Sequence, residues 1–392
     1  MSSEQILQPL GKYVSLFGGG TPSKDKSEFW NGDIPWASVK DLTGNRLKST
    51  QDSISALGLA SSASKVVKAS SIIIATRMAV GRVVITDIDV AINQDLKAIT
   101  CSDKLNSKYL FYFLRSQESN LNKLASGATV KGIKINHIMD MKIPLPPLAE
   151  QQKIAAILDA ADSLRQKDQQ LVERYTALSQ SLFLEMFGDP VANPMGWDKI
   201  ELGSLAKISS GSTPSRDVPE NYSGNIPWVK TGEVNGKNIT NTSEFISEKA
   251  LANSSCKLYP IGSLIIAMYG QGKTRGQVAR LSIEAATNQA CAVIPPSNKM
   301  NYDFLFTLLK LLYEDLRSLG RGGNQPNLNS GLIKAYGVVS PSLERQNKFA
   351  ERIQLIEAQK QQAQQSLTKS EALFNSLLQR AFTGELTAKL VA

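Results

Sequence analysis

The chain repeats its own motifs at a fixed spacing, and this internal repeat limits the folds open to it. Matching positions lie 192 residues apart up to residue 75 and 195 residues apart beyond it, so one three-residue insertion explains the whole shift. The recurring motifs are TPS at 21–23 and 213–215, IPW at 34–36 and 226–228, NQ at 93–94 and 288–289, and glutamine at 151 and 346. The 392 residues therefore form two copies of one architecture.

Each copy has two parts. The first is rich in short β-branched runs, such as 71–75 and 82–86, separated by Gly, Pro, Asn and Ser, which predicts a mainly-β domain. Short helices are expected near 109–115 and 302–312. The second part follows a proline and continues without Gly or Pro until Gly188 in one copy and Gly384 in the other, as expected of a long helix.

These patterns predict an α+β fold in which two similar mainly-β domains are separated by two long antiparallel coiled-coil helices, with pseudo-two-fold internal symmetry. A helix of this length spans roughly 57 Å, too long for one domain to cover, so the two helices should pair. The alternative is two separate helices, each packed on its own domain. The predicted segments are domain 1 (1–147), central helix (148–187), domain 2 (188–341), C-terminal helix (342–382) and tail (383–392).

Each long helix carries a stripe of apolar residues at heptad-like spacing, which should form the seam of the pair. Asp168 is the polar intrusion in the first stripe. The predicted seam consists of Ile154, Ile157, Ala161, Leu164, Leu171, Tyr175, Leu178 and Leu182, facing Phe349, Ile353, Ile356, Ala363, Leu367, Phe374 and Leu378.

The positive charge lies mainly in the two domains. The chain has a net charge of +9; residues 1–149 hold 18 Lys and Arg against 12 Asp and Glu, and residues 188–341 hold 15 against 12. Such an excess suggests a polyanionic partner. Two basic domains held apart by a rigid helix pair would read two duplex half-sites at most about 17 base pairs apart. Because the copies differ in their loops, the target should be asymmetric and bipartite.

Several classes of protein are disfavoured by composition. The single histidine, His137, is interpreted as structural, and three scattered cysteines fit reduced thiols rather than disulfides or a zinc clip. No apolar run is long enough for a membrane span, and the N-terminus lacks a secretory signal, so a cytoplasmic protein without membrane contact is expected. We expect no metal, no cofactor and no catalytic residue in this chain.

Three motifs resemble catalytic sites but lack parts that those sites need. GQGKT at 270–274 lacks the first glycine of a phosphate-binding loop, and NPMG at 193–196 lacks the second proline and the aromatic residue of an adenine methyltransferase motif. The carboxylates Asp87 and Asp95 could suggest a nuclease, but the second copy has no matching charges. A basic loop and a turn are the better interpretations of the first two.

Three blocks carry a resemblance to a known family. PPLAEQQKIA at 146–155 resembles the proline-to-helix junction of the specificity subunits of type I restriction-modification systems. AFTGELT at 381–387 is similar to the end of their C-terminal helix, and the TPS and IPW blocks resemble the start of each target-recognition domain. One departure is SPSLERQ at 340–346, which lacks the double proline of the first junction.

The resemblance implies a non-catalytic subunit that supplies DNA sequence specificity. Each recognition domain would contact one half of a split double-stranded target through the major groove. The helix pair would set the spacer and dock two methyltransferase subunits. Restriction subunits would join that core, giving an adenine-specific DNA methyltransferase and ATP-dependent endonuclease.

The DNA-reading residues should lie in loops where the two copies differ and carry hydrogen-bond donors. Trp36 and Trp228, which both copies share, are instead assigned to the cores. The candidates are Lys24, Lys40, Arg77, Arg82, Lys131 and Lys134 in the first domain, and Arg216, Lys230, Tyr269, Gln271, Lys273, Arg275, Arg321, Asn324 and Gln325 in the second.

Two other functions stay open at this point. One is a non-enzymatic coiled-coil scaffold whose basic domains bind proteins or RNA. The other is a self-sufficient modification enzyme, which the missing cofactor and catalytic motifs disfavour.

Overall fold

The computed structural model describes residues 7–127, 130–270, 272–320, 327–383 and 385–388. The chain divides into two compact units: residues 1–169 together with 365–392, and residues 170–364. Each unit contains one β-rich domain and one part of each of two long helices. In the part of the chain that the structure describes, no helix combines the length and apolar character needed to cross a membrane.

The β-rich domain of the first unit is built on short strands. The strands are β1 (Leu7–Pro9), β2 (Val14–Gly18), β3 (Trp30–Ala37), β4 (Arg46–Leu47), β5 (Asp52–Ile54), β6 (Lys65–Val67), β7 (Ile72–Ala75), β8 (Val83–Thr86), β9 (Val90–Ile92), β10 (Leu96–Cys101) and β11 (Lys142–Pro144). A five-stranded sheet has the order β2-β10-β7-β8-β4, a four-stranded sheet has the order β5-β3-β9-β6, and β1 pairs with β11.

Helices cover this domain and lead out of it. The helices are α1 (Ala56–Ala60), α2 (Ser107–Ser116), α3 (Glu118–Leu124), α4 (Ile135–Met139) and the long α5 (Leu148–Phe187), with 3-10 turns at Leu10–Lys12, Ser27–Phe29 and Val39–Asp41. Asn106 caps α2, because its side-chain oxygen accepts a hydrogen bond from the Tyr109 amide at 3.0 Å.

The β-rich domain of the second unit repeats this plan. The strands are β12 (Lys199–Glu201), β13 (Ser209–Ser210), β14 (Ile226–Val229), β15 (Asn238–Ile239), β16 (Phe245–Ile246), β17 (Leu264–Ala267), β18 (Val278–Leu281), β19 (Ala286–Thr287), β20 (Cys291–Ile294) and β21 (Gly337–Val339). The five-stranded sheet has the order β13-β20-β17-β18-β15, β16-β14-β19 form a three-stranded sheet, and β12 pairs with β21.

The helices of the second half correspond to those of the first, except for one additional short helix at each end of the set. They are α6 (Leu202–Leu205), α7 (Glu248–Ala252), α8 (Tyr302–Leu311), α9 (Tyr313–Ser318), α10 (Ser330–Lys334), the long α11 (Leu343–Ala381) and α12 (Glu385–Ala388), with 3-10 turns at Pro219–Tyr222 and Thr231–Glu233. Asn301 caps α8 as Asn106 caps α2, through a bond from the Phe304 amide at 3.2 Å.

The predicted fold class is confirmed: two β-rich domains, an internal repeat and two long packed helices. The three-residue insertion lies in one hairpin. Residues 76–82 join the antiparallel pair β7 and β8, whereas residues 268–277 join β17 and β18. The insertion therefore lengthens a loop and leaves the sheet order unchanged.

In the first unit, the start of α5 packs against the end of α11. Ser366 Oγ donates to Asp168 Oδ2 at 3.1 Å, and the Arg165 guanidinium lies 5.8 Å from the Phe374 ring. Arg165 precedes Asp168 on α5, whereas its partner Phe374 follows Ser366 on α11. This part of the helix pair is therefore antiparallel. Phe374 belongs to the same core as Leu158 and the β-rich domain.

In the second unit, the end of α5 packs against the start of α11. Ser179 Oγ donates to Glu357 Oε1 at 3.3 Å, and the Phe183 and Phe349 rings are 5.6 Å apart. These partners again run in opposite directions. Both rings also join the core of the β-rich domain, so the helices pack on each other and on the domain of their unit.

Three residues of the predicted seam are wrong. Leu164, Leu171 and Leu178 are 45%, 39% and 49% exposed. The buried or half-buried column lies one residue further on and contains Leu158, Arg165, Val172 and Ser179, whose two polar members bury by pairing. Apolar spacing could not reveal that column. The other predicted seam residues are buried or half-buried: Ile154, Ile157, Ala161, Tyr175, Leu182, Phe349, Ile353, Ile356, Ala363, Leu367, Phe374 and Leu378.

The repeated glutamine anchors the start of each long helix. Gln151 Oε1 accepts from the Asn106 amide at 2.8 Å, and its Nε2 donates to the Pro146 carbonyl at 2.9 Å. Gln346 makes the same two bonds, with the Asn301 amide at 2.8 Å and the Pro341 carbonyl at 2.7 Å. The second junction thus keeps this anchor although it lacks the double proline.

Candidate nucleic-acid interface

A glycine loop lies against a strand end in each domain. A side chain at Gly19 would place its Cβ 1.7 Å from the Ile92 carbonyl oxygen, and one at Gly211 would come within 1.9 Å of the Thr287 carbonyl. Only glycine permits this approach. In both copies this loop continues into the TPS motif. Its threonine, Thr21 or Thr213, therefore lies beside the NQ motif that follows β9 or β19.

In the first unit, this arrangement builds what we call the first cluster: Thr21, Lys24, Trp30, Trp36, Lys40, Asp52 and Gln94. These residues line a cleft of about 650 Å³. Thr21 Oγ1 donates to Gln94 Oε1 at 2.5 Å, and Lys40 Nζ contacts Asp52 Oδ2 at 2.6 Å. The hydrogen bond with Asp52 raises the pKa of Lys40, so this lysine stays charged at neutral pH.

The aromatic wall of the first cluster explains the IPW motif. The rings of Trp30 and Trp36 meet edge to face at 5.1 Å, and Trp36 Nε1 donates to the Gly20 carbonyl at 3.1 Å. In the second unit, Trp228 Nε1 donates to the Ser212 carbonyl at 3.1 Å. Trp36 is 4% exposed and Trp228 is 2% exposed, which confirms the prediction that both rings are buried.

The second unit repeats the set as the second cluster: Thr213, Arg216, Tyr222, Trp228, Lys230, Glu244 and Gln289. Thr213 Oγ1 donates to Gln289 Oε1, as Thr21 does to Gln94. Glu244 holds two cations, Arg216 at 2.7 Å and Lys230 at 2.5 Å. These bonds, the one from Lys230 first, lower the pKa of Glu244.

The hairpin loop of the first domain brings two predicted DNA-binding residues together. The Met78 amide donates to the Lys131 carbonyl at 3.0 Å, and Arg77 forms a β-bridge with Gly132. Arg77 Nη1 also lies 3.5 Å from Asp95 Oδ1, and Asp95 lines the cleft of the first cluster. The loop and the cleft therefore form one continuous polar surface in the first unit.

Two other candidates of this domain are placed differently. The exposed Lys134 precedes α4, two residues beyond the bridge that holds the loop. Arg82 lies at the far end of the hairpin loop, and its Nη1 donates to the Leu42 carbonyl at 3.0 Å. Arg82 is therefore engaged with the scaffold.

The longer hairpin loop of the second domain is held by α9. Tyr313 OH donates to the Lys273 carbonyl at 2.8 Å, and Arg317 Nη1 donates to the Gly272 carbonyl at 2.8 Å and the Arg275 carbonyl at 3.2 Å. These bonds fix the backbone that carries Lys273 and Arg275, and Tyr269 is 40% exposed. Gln271, Arg321, Asn324 and Gln325 lie outside the described residues.

The structure also argues against catalytic roles for the look-alike motifs. The GQGKT segment leads into strand β18, not into the helix that a phosphate-binding loop needs. Asp87 pairs with Arg46 and Asp95 with Arg77, so the two carboxylates do not share a site. In the described residues, no group of His, Cys, Asp or Glu could hold a metal ion.

Sequence reasoning missed part of this interface. The residues it overlooked are Thr21, Trp30, Asp52, Gln94, Thr213, Tyr222, Glu244 and Gln289, all in the two clusters. Their signal was present, because each recurs at the repeat spacing with the same or a related side chain. The prediction assigns shared residues to the scaffold, but shared residues also line the cleft.

Comparison with known proteins identifies the family. The model of the type I restriction modification DNA specificity domain matches residues 10–174 and again residues 194–369. This chain belongs to the family of type I restriction-modification specificity subunits. The double match corresponds to the internal repeat, and it decides against the coiled-coil scaffold alternative.

Individual relatives agree with this assignment. The chain is 27% identical over 393 residues to the type I restriction enzyme MjaIX specificity subunit of Methanocaldococcus jannaschii, covering 94% of this chain and 90% of that protein. It is 33% identical over 310 residues to the putative MjaX specificity subunit of the same organism, covering 73% and 70%. The crystal structure of the type I restriction-modification S subunit from M. genitalium has a similar fold, with a TM-score of 0.62, 18% identity and 96% of each chain covered.

The chain is thus the DNA specificity subunit of a type I restriction-modification system. Such a specificity subunit is itself non-catalytic, and the complex that contains it methylates and restricts DNA.

Proposed function

We propose that residues 1–147 and 188–341 are the two recognition domains, and that each reads one half of a split duplex target. The observation that carries this proposal is that both domains repeat the same polar cluster and hairpin loop. The side chains that could donate hydrogen bonds from the hairpin loop differ between the two domains. The hairpin loop carries Arg77 in one copy and Lys273 and Arg275 in the other, while the TPS loop recurs. Base edges are distinguished by such donors, so the two half-sites should differ.

The long helices would fix the distance between half-sites and dock two methyltransferase subunits, to which restriction subunits add. Because the complex would act on DNA inside the cell, we expect it to be cytoplasmic. Support for docking comes from α5, where Leu164, Leu171 and Leu178 are exposed at heptad spacing on one face of the helix. Exposed apolar residues in such a row fit a partner helix. We assign this face to a methyltransferase subunit.

Charges on this helix face should prevent assembly. The double variant Leu171→Glu/Leu178→Glu is expected to bind its cognate methyltransferase subunit at least about a hundredfold more weakly, because two carboxylates would be desolvated. Titration calorimetry with the purified subunits measures this. Leu184→Glu is the matched control, since Leu184 is 44% exposed but lies on another face of α5. If the unmodified chain, the double variant and Leu184→Glu all bound the methyltransferase subunit equally well, the assignment would be contradicted.

The hairpin loops should set sequence preference. The double variant Arg77→Ala/Lys131→Ala is expected to weaken binding to the natural target by about 1–3 kcal/mol for each base that the loop no longer reads. The target is found by mapping methylated adenines in the host genome, and binding is measured by fluorescence anisotropy against a duplex altered in one half-site. Lys68→Ala, which removes an exposed lysine paired with Asp89, is the control. Unchanged discrimination between the two duplexes would exclude base reading by this loop.

A further inference from the structure

The two clusters are chemically alike although the loops beside them differ. We propose that each cluster binds one phosphodiester group of the DNA backbone, with the side-chain amides of Gln94 and Gln289 as hydrogen-bond donors. This inference rests on the proposed function, in which each domain contacts one half-site. It adds a sequence-independent contact that both domains share.

The repeat itself supports a backbone ligand. Two domains that read different bases have the sugar-phosphate backbone in common, and phosphate contacts position a protein without carrying sequence information. The threonine–glutamine hydrogen bond and the edge-to-face aromatic pair occur in both clusters. Residues kept in both copies should therefore contact what is constant in the ligand.

The threonine makes the glutamine a donor. In each cluster the threonine hydroxyl donates to the glutamine Oε1, so this hydrogen bond sets the orientation of the amide and engages one lone pair of its oxygen. Both glutamines are exposed, and within the described residues their Nε2 groups have no hydrogen-bond acceptor. The two N–H groups of each Nε2 can donate to an acceptor such as a phosphate oxygen.

The charges of each cluster match a single phosphate. Lys24 and Arg216 occupy equivalent positions, as do Asp52 and Glu244. The second cation is Lys40 in one cluster and Lys230 in the other; these positions are not equivalent, yet both lysines pair with the equivalent acid. Each cluster thus holds two cations and one carboxylate, an excess of one positive charge. Asp95, which also lines the first cleft, is paired with Arg77.

Binding to unrelated DNA tests the proposal. The double variant Gln94→Ala/Gln289→Ala in the full-length chain is expected to bind a random duplex of about 30 base pairs at least about tenfold more weakly, since it can no longer form these hydrogen bonds to charged groups. Affinity for the natural target should fall by the same factor. Circular dichroism verifies that both domains remain folded.

A second double variant tests phosphate binding through the cations of the clusters and leaves both glutamines in place. Lys24→Gln/Arg216→Gln should make the slope of log affinity against log salt shallower by roughly 0.9 for each cation removed. The matched control is Lys65→Gln/Lys257→Gln, an exposed pair at equivalent positions outside the clusters, which should leave the slope unchanged.

Two results would overturn the inference: unchanged affinity for the random duplex in both cluster variants, or a loss confined to the natural target, which would indicate base reading. Failure of the proposed function looks different. The unmodified chain would then bind the natural target and the random duplex equally well.

Discussion

Phe183→Ala is expected to lower the free energy of unfolding by about 3–5 kcal/mol, because a large buried ring is removed from a packed core. Phe183 is fully buried in the second unit, with its ring 5.4 Å from Phe304 and 5.6 Å from Phe349. It joins α5, α8 and α11, so its removal opens the packing of both long helices against the β-rich domain.

Urea denaturation followed by tryptophan fluorescence measures this effect. Trp197 reports on the region, since its ring lies 6.4 Å from that of Phe187, one turn along α5 from Phe183. Leu184→Ala is the matched control: Leu184 is the next residue on α5 and is 44% exposed, so it should change stability by no more than about 0.5 kcal/mol. Similar losses of stability for both variants would show that this seam does not hold the second unit together.

Asp162→Ala is expected to destabilise the first unit by about 3–5 kcal/mol at pH 7, because it leaves arginine charges without a partner. Asp162 Oδ1 lies 2.8 Å from Arg165 Nη2 and 3.6 Å from Arg115 Nη1, while its Oδ2 accepts from Asn45 Nδ2 at 2.6 Å. The Asp162 side chain is 6% exposed. This cluster ties the β-rich domain to α5.

The same carboxylate gives stability a pH dependence. Burial acts to raise the pKa of Asp162, but the hydrogen bond from Arg165 and the charges of Arg115 and Arg165 outweigh it, so the pKa lies below its ordinary value of 3.8. A carboxyl with a lowered folded-state pKa stabilises the protein above its unfolded pKa, and this contribution is lost as the pH falls through the folded value. The difference between the unmodified chain and Asp162→Ala should therefore shrink below about pH 4.

Urea transitions at pH 7 and at successively lower pH values check this dependence. Glu344→Ala is the control, because the Glu344 side chain is 76% exposed beside Lys348 and should contribute little to stability. A difference that stays constant with pH would mean that packing, not charge, accounts for the effect of Asp162.

Much of the fold could be predicted because the chain repeats. Each helix or strand can be predicted twice, once from each copy of the repeat. The β-branched runs 71–75 and 82–86 correspond to strands β7 and β8. The helix expected near 109–115 is α2, Ser107–Ser116. The seam of α5 could be predicted only in part, because Arg165 and Ser179 bury through polar partners that lie close in space but are not marked by apolar spacing.

The interface was harder to predict for a similar reason. Positive charge located Lys24, Lys40 and Arg216, but the neutral Gln94 and Gln289 gained meaning only when the fold placed a threonine beside each. Long-range pairing of small polar residues leaves no local pattern in a sequence. The recurrence of those residues at the repeat spacing was the available clue.

The first unit includes a segment from much later in the chain, residues 365–392. Phe374, Ala381 and Leu386 lie in the same core as Leu10 and Ile72, whereas the second unit is one uninterrupted stretch, residues 170–364. During synthesis, residues 7–169 can therefore complete their core only after residues 365–388 have left the ribosome, whereas residues 170–364 can pack before that. A truncation before Phe374 would therefore remove part of the core of the first β-rich domain, which lies more than two hundred residues earlier in the chain.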